Sequence, residues 1–487
     1  MTTVRSAATS GTCSMANSNN DSDAEAAMKV SEKSSLLGGT LPNLSGSTED
    51  TSDDACHAAI LRAKCMIAAR WAQMGVFYSY IGIFFAAAKK KGGDGFTLMH
   101  IGYLMTALMG GMTLGSYTLP VLADHCRRHV TLGLAFHVLM TTCMGLLMAI
   151  PRGNFCATLF FLCLGSFWNG GYGPIVDSAV FQICGKFRDR TSFGHIRLWG
   201  CVSWAIGALA VSLIMDKTKN RWYYYLNTFL IAYVVLSPFT FYFSYNLLRA
   251  EFPSGSRKSK AASTTTSREG KTISSLKRLL LFPLTPPFYA AVICLGMLFA
   301  ALNTFVYIWA VDDLGASYTQ IGVATAVLNC CEVGIFLGAK AISRRIGTHG
   351  VLYMSAAAYA FRLALYGYFV KSAWWLVLGE PFHALTFSLP MGSLGACTNA
   401  IADASDCPRT TAQGFRTGSM NLGRAAGFIV SAWLFQHISA ATMFRGMLIA
   451  IVPCMFLSVM LLHRSAVALR DRKGVDQGHG LPLLFAE

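Results

Sequence analysis

Apolar runs of about 20 residues recur along the whole chain, each long enough to cross a hydrocarbon layer as a helix. Nothing else in the sequence constrains the fold as strongly. In lipid every backbone N–H and C=O must find its partner inside the protein, so only helices and closed barrels span a membrane. Runs this long, without strict alternation, dictate helices. The expected fold class is an all-α membrane protein of twelve transmembrane helices in two pseudo-symmetric halves. Charge agrees: 13% of residues are charged, against about a quarter in an ordinary globular chain, and mean hydropathy is +0.46.

The net charge of +16 invites a nucleic-acid reading. The placement of the charge argues against it, because the Lys and Arg residues fall in short loops between apolar segments, as membrane topology requires. The 15 cysteines are scattered, without CxxC pairs or Cys/His ligand spacing. No metal, cofactor or disulfide framework is therefore expected. Residues 1–64 read as a disordered cytoplasmic tail, rich in Ser, Thr, Asn, Asp and Gly and without a signal-peptide core. Within that tail Glu32, Leu36 and Leu37 fit an acidic dileucine pattern, a candidate contact for a sorting adaptor.

Segments are placed at 65–88, 97–122, 129–150, 154–183, 196–215 and 222–247, then 287–311, 319–341, 348–370, 373–398, 413–436 and 440–463. The domains that follow are an N-terminal six-helix bundle (65–247), a basic cytoplasmic linker (248–286), a C-terminal six-helix bundle (287–463) and a cytoplasmic tail (464–487). Arg127, Arg128, Lys186, Arg344, Arg345 and Arg464 fall on one side, which puts both termini in the cytoplasm, in a plasma or endolysosomal membrane. Ile273 to Phe282 is expected to form a short amphipathic helix or an unstructured loop.

The halves read as a repeat. Arg127-Arg128 corresponds to Arg344-Arg345, and Arg197 to Arg416. Asn169 to Pro174 is expected to break the fourth segment, and Pro390-Met391-Gly392 the tenth. Matching Gly/Pro interruptions in two halves point to a carrier's binding site and to alternating access. They argue against a seven-span receptor.

Several stretches resemble one family. Pro120 to Arg128 (PVLADHCRR) resembles the signature loop of the major facilitator superfamily. Phe193 to Gly200 (FGHIRLWG) resembles a stretch of the branch that holds lactose permease, bacterial nucleoside–proton symporters and the major facilitator superfamily associated domain proteins. Leu314-Gly315-Ala316-Ser317, Glu332-Val333, Arg362 within AFRL, His383 to Phe387 and Thr411 to Gly414 follow in register. The resemblance covers roughly residues 65–465. It implies secondary active transport, proton-coupled symport in particular, with a sugar or nucleoside as the solute class. His195 and Gly334 depart from the pattern and bear on the solute rather than the fold.

Ionisable groups deep in apolar segments are costly and mark candidate sites. At about 1.5 Å per residue, His383 falls near mid-membrane, with Glu380 one turn away on the same helix face. Glu332 and Arg362 reach comparable depths, so Glu332, Arg362, Glu380 and His383 form the expected proton-coupling set. Burial raises a carboxyl pKa and a nearby Arg lowers it, so a Glu whose Arg partner comes and goes can carry a proton. Glu332 is the first choice and Glu380 the second. A fixed Glu332–Arg362 pair and a merely interhelical His383 are the structural alternatives. Gln73, Tyr80, Asn169, Asn303, Tyr307, Trp309 and Arg424 are candidate solute contacts, since amides and aromatic faces suit sugars or nucleosides. Asp124 with Arg127 and Arg128 reads as a conformational latch, and Asp177 with Arg197 as a gate or structural pair. A uniporter and a receptor built on a carrier scaffold are the rival functions. An enzyme is not expected, because the sequence contains no nucleophile–base pair, P-loop or metal spacing.

Overall fold

The structure, a computed structural model, describes residues 46–187, 190–218, 222–252 and 272–472. The sorting pattern at Glu32, Leu36 and Leu37, most of the linker and the C-terminal tail from 473 onward lie outside the described residues. Contacts divide the chain into Met1–Ala55 and Cys56–Glu487, and every side-chain contact below belongs to the second unit.

Among the described residues the protein is entirely helical. In chain order the first half contains α1 (Gly46–Tyr78), α2 (Ile81–Ala86), α3 (Leu98–Cys126), α4 (His129–Ala149), α5 (Phe155–Lys186), α6 (Phe193–Lys217) and α7 (Tyr223–Glu251). A short helix, α8 (Thr272–Leu281), stands where the linker was expected to form one, and its Arg278 donates to the Asp406 carbonyl at 3.2 Å. The second half contains α9 (Thr285–Ala300), α10 (Val306–Asp312), α11 (Tyr318–Ala364), α12 (Trp375–Gly379), α13 (Leu389–Ala404), α14 (Arg409–His437) and α15 (Ala440–Arg472).

Local chemistry sets several of these boundaries. Thr97 and Ser192 cap α3 and α6 by accepting from the backbone N–H three residues on. Ser317 and Gln320 form a full capping box at the start of α11. Inside α11, Gly347 takes φ 64° and ψ 176°, a region open essentially to glycine alone. That kink turns one long helix into two rods. α1 with α2, α9 with α10, and α12 with α13 each make one rod interrupted by a local break, and with the short α8 left aside the rods among the described residues total twelve. The first rod begins earlier than 65: α1 starts at Gly46, and Cys56, Ile60 and Ala63 are buried in a core shared with α3, α5 and α7.

Six helical stretches are apolar and long enough to cross a membrane on those grounds alone, with the Gly347-kinked helix counted once. α1, α5, α14 and the α12–α13 rod fall below that standard, and they carry Arg70, Asn169, Arg416 with Arg424, and Glu380 with His383. The shortfall marks rods that face a polar interior.

The two expected breaks resolve differently. α5 runs unbroken through Asn169 to Pro174. Pro174 cannot donate to the Gly170 carbonyl four residues back, and Ser116 of α3 donates to that carbonyl instead, at 3.0 Å. The interruption in the tenth rod lies upstream of Pro390-Met391-Gly392. Glu380–Phe382 is a 3₁₀ turn and Ala384–Ser388 a π-helical turn, while Pro390 sits in the first turn of α13, where a missing N–H is tolerated. The Thr386 carbonyl, four residues before Pro390, accepts from Ser355 at 3.3 Å. In both rods a serine from a neighbouring helix satisfies the carbonyl that proline orphans.

The halves meet along two seams, α3 against α14 and α6 against α11. At one end of the molecule Gly82 of α2 abuts Thr304 and Ile308; a Cβ there would lie 2.7 Å from the Thr304 methyl. At the other end Gly395 of α13 abuts the Phe181 ring of α5, and Thr410 of α14 donates to Ser178 of α5 at 3.2 Å. The two halves therefore touch at both ends of the interior space between them.

Candidate functional site

That space is a cavity of about 230 Å³ lined by α1, α3, α5 and α6 from the first half and by α9–α11, the α12–α13 rod and α14 from the second. One wall is aromatic. Trp204 lies 5.5 Å from Trp71 and stacks with Tyr78 at 6.2 Å, centroid to centroid. Phe299, Phe387 and His383 form a second aromatic group on the opposite half.

The charged lining is lopsided. Arg70, Arg197, Arg416 and Arg424 face the cavity, against Asp177 and Glu332 as its carboxylates. Arg416 and Asp177 pair across the halves at 3.6 Å. Arg197 lies over the Trp71 ring at 3.3 Å. Arg70 donates to Asn169 at 3.1 Å, and Arg424 lies over the Phe299 ring at 4.1 Å.

From behind the wall to the cavity itself, Arg362, Glu380, His383 and Glu332 form one chain of contacts. Arg362 donates to Glu380 at 3.0 Å, and both side chains are about 1% exposed. Tyr366 also donates to Glu380, at 3.4 Å. The second guanidinium arm reaches His383 Nδ1 at 3.1 Å. A guanidinium has no acceptor, so Nδ1 must be the accepting nitrogen and the imidazole proton sits on Nε2. Nε2 faces Glu332 Oε1 at 3.6 Å. On its far side Glu332 accepts from the Cys201 thiol of α6 at 3.0 Å. Glu332 thus lies on the cavity wall and on the α6–α11 seam at once.

The sequence profile of the MFS_1 like family matches residues 63–446. The chain belongs to the MFS_1 like family. A zebrafish (Danio rerio) relative, major facilitator superfamily domain-containing protein 6-like, is 23% identical over 155 residues, which is 32% of this chain. The match spans only 28% of that relative's length. Among solved structures, the nucleoside transporter NupG superposes with a TM-score of 0.57 at 18% identity, over 85% of this chain and 99% of that one. A POT family transporter in complex with 5-aminolevulinic acid gives 0.57 at 13% identity, over 84% and 96%. At these identities the likeness shows the fold, which is that of the major facilitator superfamily.

Within this MFS_1-like fold the sequence-predicted residues separate. Glu332, His383, Asn169, Asn303, Tyr307, Arg424, Asp177 and Arg197 line the cavity; Arg362 and Glu380 stand just behind it. Three candidate solute contacts lie elsewhere. Gln73 is turned toward α7, where it donates to Ser237 at 2.9 Å. Tyr80 is wholly buried in the core at the α1–α2 break, and Trp309 packs on Phe444 at 5.3 Å. Arg362 pairs with Glu380 rather than Glu332, because the 3₁₀ and π turns swing Glu380 and His383 together toward α11. The latch at Asp124 uses other partners than Arg127 and Arg128, which are exposed: His129 at 2.7 Å and Thr411 of the opposite half at 2.6 Å. Asp177 forms its salt bridge with Arg416 rather than Arg197.

Arg70, Cys201, Tyr78, Trp71 and Trp204 were missed. Arg70 had a signal, a charge in an apolar segment. Placing the segment's start at 65 left it near the membrane edge; the helix from Gly46 carries it to the cavity.

Proposed function

We propose that the protein is a secondary carrier that moves a small polar organic solute by alternating access, coupled to protons, with Glu332 as the proton-carrying group. The observation that carries this reading is the position of Glu332. It lines the cavity, touches Cys201 across the seam and His383 within its own half, and has no salt bridge to Lys or Arg among the described residues. A carboxyl without a fixed cation is free to gain and lose its proton, and a contact made across the seam changes whenever the halves rock. Glu380 lacks that freedom, being held by Arg362 and Tyr366. Contacts between the halves at both ends are what rocking of one half against the other would make and break in turn.

The family resemblance favours symport, with a sugar or nucleoside as the solute class, and the stacked Trp204 and Tyr78 rings offer such a solute a flat face. Loop Lys and Arg residues favour both termini facing the cytoplasm. Two measurements test the reading. Spin labels across the α2–α10 end and across the α5–α13 end of the full chain should change separation in opposite senses as pH is stepped. Both distances staying fixed would remove alternating access. In proteoliposomes, transported solute should carry protons inward; flux without proton uptake leaves a uniporter.

A further inference from the structure

The chemistry of the cavity's unmet hydrogen-bonding atoms extends that reading. Among the described residues, the buried polar atoms in its lining that lack a hydrogen-bond partner are Arg70 Nε, Arg197 Nη1, Arg424 Nε and Asn421 Nδ2, which can only donate, and the hydroxyls of Ser79 and Thr325, which can donate or accept. Asn421 is 2% exposed and Arg70 9%. No carboxylate lies within 4.0 Å of Arg70 or Arg424 among the described residues, whereas Arg416 has Asp177. Aromatic contacts partly compensate: Tyr172 lies 4.8 Å from the Arg70 guanidinium carbon and Phe299 4.1 Å from that of Arg424. A desolvated cation–π contact offsets only part of the cost of taking an unpaired charge out of water. The remainder calls for an acceptor-rich partner that arrives from outside the chain.

We infer that the solute is an organic anion whose carboxylate or phosphate is held between Arg70 and Arg424. This rests on the carrier reading above and names the class of solute. The two arginines belong to opposite halves, on α1 and α14, and line the same cavity as Tyr78. Bound anion bridges them. Both side chains are cations on the wall of one cavity, and the anion adds a charge-assisted contact to each half. Asn421 and Asn169 are placed to orient the same group from the two halves. The body of the solute lies along Trp204 and Tyr78, in a volume equal to about eight waters. Together with the proton on Glu332, a monoanion crosses without net charge.

Matched probes test this on the purified full-length protein by thermal shift and equilibrium binding. Glucose, glucuronate and glucose 6-phosphate share one body with no acid, a carboxylate or a phosphate; uridine and uridine 5′-monophosphate form a second set. The expected result is stabilisation by one acid class and none by its neutral parent. Arg70→Gln and Arg424→Gln should each weaken acid binding on the order of tenfold or more, with Arg→Lys at either site retaining part of it. Glucose or uridine binding as well as its acid, with both Gln variants unaffected, overturns the assignment. So does binding of none of the acids. Either failure leaves the opposed movement of the two ends intact, so loss of the anion claim is distinguishable from loss of the carrier reading.

Discussion

Two charged regions lie on either side of the same cavity wall and differ in one respect. Behind it, Arg362 and Glu380 pair at 3.0 Å, with His383 on the wall 3.1 Å from Arg362, and all three are nearly inaccessible. In the cavity, Arg70 and Arg424 face open space with no acid beside them. The first region pairs its charges within the chain, although Arg362 Nε also lacks an acceptor. The second, on the inference above, is completed by an incoming anion. Burial alone does not separate structural charge from functional charge here; what separates them is whether the partner belongs to the chain.

The comparison yields graded expectations. Glu380→Gln strands the Arg362 charge and should cost about 3–5 kcal/mol of stability, read as a large fall in melting temperature. The double variant Arg362→Gln with Glu380→Gln should recover much of that loss. If the double variant melts no higher than the single one, the pair is not the internal anchor it resembles. Arg424→Gln should do the reverse. It removes an unpaired charge, leaves melting temperature unchanged or raised, and weakens acid binding on the order of tenfold or more. A fall as large as that for Glu380→Gln would erase the distinction between the regions.

Glu332→Gln sits between these cases. It should preserve solute exchange between the two faces while eliminating accumulation driven by a pH gradient. Undiminished accumulation would move the proton to another group, Glu380 first. The smallest effect is expected for Cys201→Ala. A thiol is a weak donor, so its loss should change stability by less than about 1 kcal/mol and shift only the pH dependence of transport. An unchanged pH profile would remove the cross-seam contact from the coupling step.

The spans were legible because bilayer thickness and backbone satisfaction act on contiguous residues. The four rods that fall short in hydropathy were legible too, since their polar groups stand out against an apolar background. The proline breaks were only half legible. Pro174 and Pro390 occupy the positions the sequence marks, but Ser116 and Ser355, distant in sequence, decide that the helix continues at the first and that the irregular turns precede the second. Gln73, Tyr80 and Trp309 show the same limit, for a polar or aromatic residue in a span has no readable direction until its neighbours are known.

The sequence by itself determined the helical class, the membrane setting, the near-twofold ordering of segments and the presence of Glu332, Arg362, Glu380 and His383 at depth. Tertiary structure alone decided the pairing among them, and it brought Arg70 and Arg424 to one cavity. The physical reason is range. Hydropathy is a local property summed along the chain, whereas a salt bridge is settled within a few ångströms, between side chains from different helices. For Glu380 and Arg362 that separation is 3.0 Å across 18 residues of sequence.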